Sequence, residues 1–254
     1  MAGKSFFIDT SKCTACRGCQ MACKQWNRNG TEKTVNRGSH QNPPDLSSSA
    51  YKLVRFNEVV ADGKPAWYFF PDQCRHCLDP SCKETADDLV KNSILKDEKT
   101  GAVIFTSRTR RLPARKILQA CPYQIPRMDL KTKSLSKCTM CLDRITNGLL
   151  PACVKTCPTG AMSFGDRPEI LARAKKRLAE VKGKYPKASL LDADDVRVIY
   201  LVLDERSKYH RFASADEKGI TRTAALRKLL KPVTTVAAAT VLIGGMIQGT
   251  DHQK

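Results

Sequence analysis

The sequence predicts an α+β fold whose short helices and strands wrap around metal, as two pseudo-symmetric modules followed by a C-terminal helical extension. Three observations predict it. Twelve cysteines crowd at two- and three-residue intervals, strand-like runs are short and lie between them, and the clearest helical pattern follows the last cysteine. Otherwise the chain is ordinary. Its 254 residues are 41% hydrophobic and 27% charged, enough for one large domain or two small ones.

The elements follow in order. Residues 27–49, polar and rich in Gly and Pro, read as a long connecting loop. Runs at 51–60 and 66–70 flank the turn signal Asp62-Gly63 and read as a hairpin. Residues 101–106 form a further β-like run. Asp166 is placed to cap a helix from Pro168 to about Val181, with Gly183 just past its end. Residues 196–203 read as a buried strand. The run 232–250 carries no charge over nineteen residues. As a helix it would reach about 28 Å, close to the hydrocarbon thickness of a bilayer. It reads as a single-pass anchor or as a helix packed against a partner subunit.

Disulfides, zinc and iron–sulfur clusters compete for the cysteines. Disulfide frameworks belong to short secreted chains, and the first ten residues lack the pattern of a secretory signal. The spacing Cys13-x2-Cys16-x2-Cys19-x3-Cys23 is a triplet plus one. Zinc ribbons instead pair two CxxC units. Three thiolates so spaced wrap one cubane, and the fourth ligates a second cluster. The triplet then needs one outside cysteine and Cys23 needs three. Cys138, Cys141, Cys153 and Cys157 supply that number. The last of these precedes a proline and crosses over, as Cys23 does. The first cluster is then Cys13, Cys16, Cys19 and Cys157; the second is Cys23, Cys138, Cys141 and Cys153. Cys74, Cys77, Cys82 and Cys121 remain for a third. A full second module would carry another cysteine where the chain has Ala86 and three more before Cys121, and all four are missing together. The expected cofactors are therefore three [4Fe–4S] clusters.

The formal net charge is +19, and three clusters of net charge near −2 would lower it to about +13. A surface complementary to an acidic partner explains this charge. Nucleic acid is set aside, because no helix-turn-helix, RNA-recognition or finger pattern accompanies it and aromatics are only 6%. Basic residues beside cysteines (Lys12, Arg17, Lys24, Arg75, Lys83, Lys137, Lys155) read mostly as surface charge. His76 reads as structural and Trp26 as core packing beside a cluster. No Ser/His/Asp or paired-carboxylate set argues for catalysis by this chain.

Five segments carry a resemblance: Cys13-Thr-Ala-Cys-Arg-Gly-Cys-Gln-Met-Ala-Cys-Lys-Gln-Trp26, Gly38-Ser-His-Gln-Asn-Pro-Pro-Asp-Leu46, Gln73-Cys-Arg-His-Cys77, Cys121-Pro-Tyr-Gln-Ile-Pro-Arg127 and Asn147-Gly-Leu-Leu-Pro-Ala-Cys-Val-Lys-Thr-Cys-Pro158. Over roughly residues 5–205 the chain resembles the iron–sulfur (beta) subunit of molybdenum or tungsten formate dehydrogenases. The wider class is the ferredoxin-type electron-transfer subunits of bisPGD oxidoreductases. The equivalent subunits of polysulfide, thiosulfate or dimethyl sulfoxide reductases are the alternative. The resemblance implies two ferredoxin-like [4Fe–4S] modules. Residues 1–49 and 125–166 would form the first, with two clusters, and 50–124 the second, with one. A helix–strand extension (167–222) and a C-terminal helix (223–254) would follow. It also implies a large catalytic subunit with the Mo/W-bisPGD cofactor, and as acceptor a cytochrome (a cytochrome b or multihaem cytochrome c) or a quinone-linked membrane subunit.

Co-export with the large subunit would place the complex on the periplasmic face of the membrane. The basic residues before the apolar run (Arg222, Arg227, Lys228, Lys231) would instead keep the cluster domain cytoplasmic. Metal analysis tests the cluster count. About twelve iron and twelve acid-labile sulfides per chain are expected, and a value near sixteen iron, or stoichiometric zinc, would overturn it.

Overall fold

Residues 198–202, Val-Ile-Tyr-Leu-Val, are apolar at every position, which suits a strand covered on both faces. The computed structural model, which describes residues 3–61 and 63–215, places that strand within a four-stranded sheet. In chain order the elements begin with β1 (Lys4–Asp9), α1 (Gly18–Trp26), β2 (Leu53–Ala61), β3 (Lys64–Asp72) and α2 (Ser81–Asp87). Next come β4 (Ile94–Lys96), β5 (Val103–Phe105), α3 (Ala114–Ala120), β6 (Arg127–Met128), β7 (Leu135–Ser136), α4 (Leu142–Ile145) and α5 (Ala152–Lys155). The last are β8 (Met162–Asp166), α6 (Arg167–Lys182), β9 (Ser189–Leu191) and β10 (Val198–Val202).

The sheet runs β8-β1-β10-β9. Strand β1 lies parallel to β10, from Phe6 opposite Val198 to Asp9 opposite Leu201, and antiparallel to β8, from Lys4 opposite Asp166 to Ile8 opposite Met162. Side chains alternate between two faces. Phe6, Ile8, Val198, Tyr200 and Val202 pack with Phe70, Met140, Cys19 and Cys153 on the cysteine-bearing side. Phe7, Ile199 and Leu201 pack on the other side against Ile170, Ala174 and Val181 of α6. The helix offers one apolar stripe to the sheet, at the spacing an amphipathic helix requires.

The expected hairpin is β2 and β3, paired from Leu53 opposite Asp72 to Ala61 opposite Lys64. Gly63 (φ 71°) supplies the positive φ of its turn. The run at 101–106 contains β5, whose partner β4 the sequence did not reveal; nor did it reveal β1 or β8. Helix α6 begins at Arg167, but Asp166 does not cap it with its side chain, because Lys4 Nζ takes the carboxylate at 2.9 Å. Trp26 is corrected: it is 42% exposed, donating to Asp143 and lying 4.1 Å from the Arg144 guanidinium carbon. Residues 27–49 contain no helix or strand. The expected C-terminal helix, with the run 232–250, lies outside the described residues. Among the described residues no helix is long and apolar enough to cross a membrane.

The hairpin is locked to the sheet by one buried guanidinium. Arg75 is 2% exposed and lies over the rings of Phe70, Tyr123 and Tyr200 at 5.1, 5.0 and 4.7 Å. Its charge is met by Asp72 at 2.8 Å, which also holds Arg55 at 2.7 Å. Burial alone would raise the Asp72 carboxyl, but Arg75 and Arg55 outweigh it and hold it below the ordinary value. A depressed carboxylate contributes stability above its unfolded pKa, near about 4, and loses it as pH falls through the folded value. Replacing Asp72 with Asn should therefore cost about 3–5 kcal/mol at neutral pH, read by denaturant or thermal unfolding of the cluster-loaded protein. The difference from the native protein should shrink on acidification below about pH 4.

Candidate iron–sulfur centres

Three CxxC turns share one backbone device. The residue before the second cysteine takes a positive φ in each: Ala15 (54°), His76 (46°) and Met140 (62°). That conformation turns its N–H back onto the first cysteine. His76 N–H donates to Cys74 Sγ at 3.4 Å, Met140 N–H to Cys138 Sγ at 3.4 Å, and Ala15 N–H to Cys13. Hydrogen bonds to cysteine sulfur of this kind tune a cluster's potential. Both Cys-Pro endings also share a turn. Gln124 (φ 53°) donates its N–H to Cys121 O at 3.0 Å, and Gly160 (φ 62°) to Cys157 O at 3.3 Å.

The tertiary fold decides which cysteines meet. Strand β1 ends shortly before Cys13, and β8 begins shortly after Cys157. Their pairing, closed by Asp9 N–H on Ala161 O at 2.8 Å, brings the two ends of the cysteine region together. Helix α1 starts at Gly18, so Cys19 and Cys23 stand one turn apart, about 6 Å along the axis. It packs on α5, which carries Cys153. Cys13 accordingly neighbours Cys19 and Cys157, and Cys19 neighbours Cys16 and Cys157. Cys23 neighbours Cys138, Cys153 and Cys141 instead.

The remaining four cysteines lie around α2 and α3, where Ser81 Oγ donates to Ala120 O at 2.8 Å, just before Cys121. Cys74, Cys77, Cys82 and Cys121 line a single small cavity with Tyr123, Ile125 and Lys137. The position four residues after Cys82 is Ala86, fully buried among Ile94, Leu112 and Ile117. Hydrocarbon fills that position. The groups also adjoin one another: Cys153 stands near Cys19, and Cys138 near Cys74.

The chemistry of these sulfurs suits a cluster. All twelve are free thiols, and all but Cys16 are at least partly buried. Burial pushes Cys13 and Cys121 up to about 11, and Cys138 and Cys153 up to about 12. Bare thiolates are therefore unfavourable here, and metal binding must displace the protons. Among the described residues no three His, Cys, Asp or Glu side chains converge tightly enough for a single ion. A cubane asks for a wider frame, since each thiolate meets a different iron. Donor type, N–H to sulfur bonds and a cavity walled by four thiols all fit that group.

The basic residues divide. Lys12 and Lys155 are exposed, whereas Arg75 and Lys137 are buried, the latter donating to the Val103 and Cys138 carbonyls. His76 is fully buried and held well below the ordinary histidine value by burial, Lys137 and Arg197. Its Nδ1 accepts the Val103 N–H at 3.0 Å. It is a neutral structural residue. The sequence reading missed Lys52, which is 2% exposed and donates to the Pro71 carbonyl and Gln73 Oε1, because it lies far from any cysteine in the chain.

Residues 65–167 match a family described as a 4Fe–4S dicluster domain. With the cysteine turns above, this defines an iron–sulfur electron-transfer protein of the ferredoxin type. Over 213 residues the chain is 54% identical to the formate dehydrogenase subunit beta of Megalodesulfovibrio gigas, covering 84% of this chain and 99% of that one. Over 214 residues it is 53% identical to the formate dehydrogenase 2 subunit beta (cytochrome c-553) of Nitratidesulfovibrio vulgaris, covering 83% and 98%. The nitrate-inducible formate dehydrogenase iron–sulfur subunit of Escherichia coli is 33% identical over 243 residues, covering 93% and 81%. The chain belongs to the family of formate dehydrogenase beta, or iron–sulfur, subunits.

Serine substitutions test the sets of four. Cys23→Ser should alter the cluster that also uses Cys138, Cys141 and Cys153, whereas Cys16→Ser should alter the one using Cys13, Cys19 and Cys157. Cys121→Ser should touch only the third. EPR of the reduced variants reads one altered signal at a time, and a common target for Cys23→Ser and Cys16→Ser would refute the pairing.

Proposed function

We propose that this chain relays electrons from formate oxidation through three [4Fe–4S] clusters, and that it performs no catalysis itself. The ligand sets are Cys13, Cys16, Cys19 and Cys157; Cys23, Cys138, Cys141 and Cys153; and Cys74, Cys77, Cys82 and Cys121. The observation that carries this reading is their unbroken succession. Cys19 and Cys153 link the first set to the second, and Cys138 and Cys74 link the second to the third. A chain of cofactors in series passes electrons one at a time, and when bound the clusters supply that one-electron chemistry.

The chain's own residues hold and insulate the path. Phe6, Phe70, Met140 and Tyr200 exclude water beside the first two sets, while Tyr123 and Ile125 do so at the third. Cys16 is exposed, which supports the first set as the one that receives electrons from a large subunit carrying the Mo/W-pterin cofactor. Hydrocarbon at Ala86, where a fourth set would need a cysteine, supports the third set as the exit. Cytochrome c-553 in the name of one relative favours a cytochrome as acceptor.

Anaerobic purification through a tag on this chain should recover a large subunit of the molybdenum or tungsten class. Formate should then bleach the visible absorbance of the complex and leave the isolated chain unchanged. A large subunit that reduces the clusters from another donor but not from formate would refute the assignment.

A further inference from the structure

We propose that Lys137 is the fixed positive charge of the third cluster site, raising that cluster's reduction potential and favouring the electron's passage to the exit. The proposal rests on the ligand sets and the order of transfer given above. Its ground is placement. Lys137 lines the same small cavity as Cys74, Cys77, Cys82 and Cys121. It is only 5% exposed, and the next residue is Cys138 of the second set. A lysine is rarely buried to this extent without a reason beyond solubility.

Hydrogen bonds hold the ammonium in place. It donates to the Val103 carbonyl at 2.5 Å and to the Cys138 carbonyl at 3.0 Å, and it lies 4.9 Å from the centre of the Phe105 ring. Val103 in turn donates its N–H to His76 Nδ1 at 3.0 Å, inside the Cys74–Cys77 turn. Strand β5 is thereby tied on one side to a ligand loop of the third set and on the other to the residue before Cys138. Val103 is 1% exposed and itself lines the cavity. Backbone groups therefore fix the charge at the cavity wall. Toward the second set it reaches only the main-chain carbonyl of Cys138.

Arg75 lines the same cavity, but Asp72 meets its guanidinium at 2.8 Å. Lys137 differs. Among the described residues no carboxylate pairs with it, and its two acceptors are uncharged. A desolvated charge in that state is costly unless an opposite charge stands close by. A [4Fe–4S] cluster with four thiolates carries a net negative charge and answers that need. It gains one more negative charge on reduction, so a fixed cation in the wall stabilises the reduced form more than the oxidised form. Val103 and Ile125, apolar and at most 2% exposed, keep water from screening the effect.

Potentiometric EPR titration of the purified complex, with the signal lost in Cys121→Ser marking the third cluster, tests the role. In Lys137→Met the reduced-to-oxidised ratio of the third cluster at fixed potential should fall about tenfold or more, equivalent to about 59 mV for a one-electron couple. The second cluster should move less and the first least, while Lys137→Arg should stay near the native values. Lys137→Gln, which keeps a donor for the two carbonyls without the charge, should behave as Lys137→Met does. An unchanged third potential in Lys137→Met, a shift as large at the first or second cluster, or a native potential in Lys137→Gln would overturn the proposal. If neither uncharged variant assembles the third cluster, Lys137→Arg decides: a third cluster near its native potential supports the need for charge, and its loss there too argues for shape and against the proposal. The native complex is the control for the ligand sets, since a cluster count other than three there would fail that assignment before any variant is compared.

Discussion

Sulfur charge is the constraint on which the rest of this structure depends. Cysteine thiols packed inside a small protein resist ionisation, because burial penalises each thiolate and neighbouring thiolates repel one another. Iron offsets most of that penalty, and the protein must supply the remainder. It does so with backbone N–H groups aimed at sulfur and with cations taken out of water. Lys52, Arg75 and Lys137 are each at most 5% exposed, an unusual position for a long charged side chain. The strong positive charge of the chain is therefore not only a surface property.

The sheet gives this arrangement its frame. Strand β1 sits between β8 and β10, so the start of the chain is clamped by segments that follow the last cysteine. One consequence is that the first and last cysteine groups meet although more than a hundred residues separate them. Another is that the segment between those two groups is held within the frame they close. Helix α6 covers the far face of the sheet and leaves the other face to the cysteine-bearing loops.

Loop 27–49 belongs to the same frame. Gln20 accepts the Val54 N–H and donates to the Asn42 carbonyl, and Arg17 donates to the His40 carbonyl. Asp45 joins Arg55 of the hairpin to Arg127, just past the Cys121-Pro122 turn. A segment without regular structure is thus bound at several points to helix, hairpin and ligand loop. The segment Gly38 to Leu46, which carries part of the family likeness, is this strap.

The sequence by itself determined the metal chemistry, because the spacing of cysteines along a few residues is a local property. The two-residue gaps, the Cys-Pro endings and the missing cysteine at Ala86 were all legible, as were the hairpin, α6 and β10, whose hydrophobic patterns are short-range. Tertiary structure alone decided the rest. Strands β1 and β8 form only with distant partners, and β4 is three residues long, so no local pattern marks them. Trp26 left the core because Asp143 and Arg144, remote in the chain, offered it polar contacts at the surface. Lys52 looked like any lysine at the edge of a hairpin. Its burial against Pro71 and Gln73 arises only when those segments fold together, since electrostatic environment is set by distance in space and not by distance along the chain.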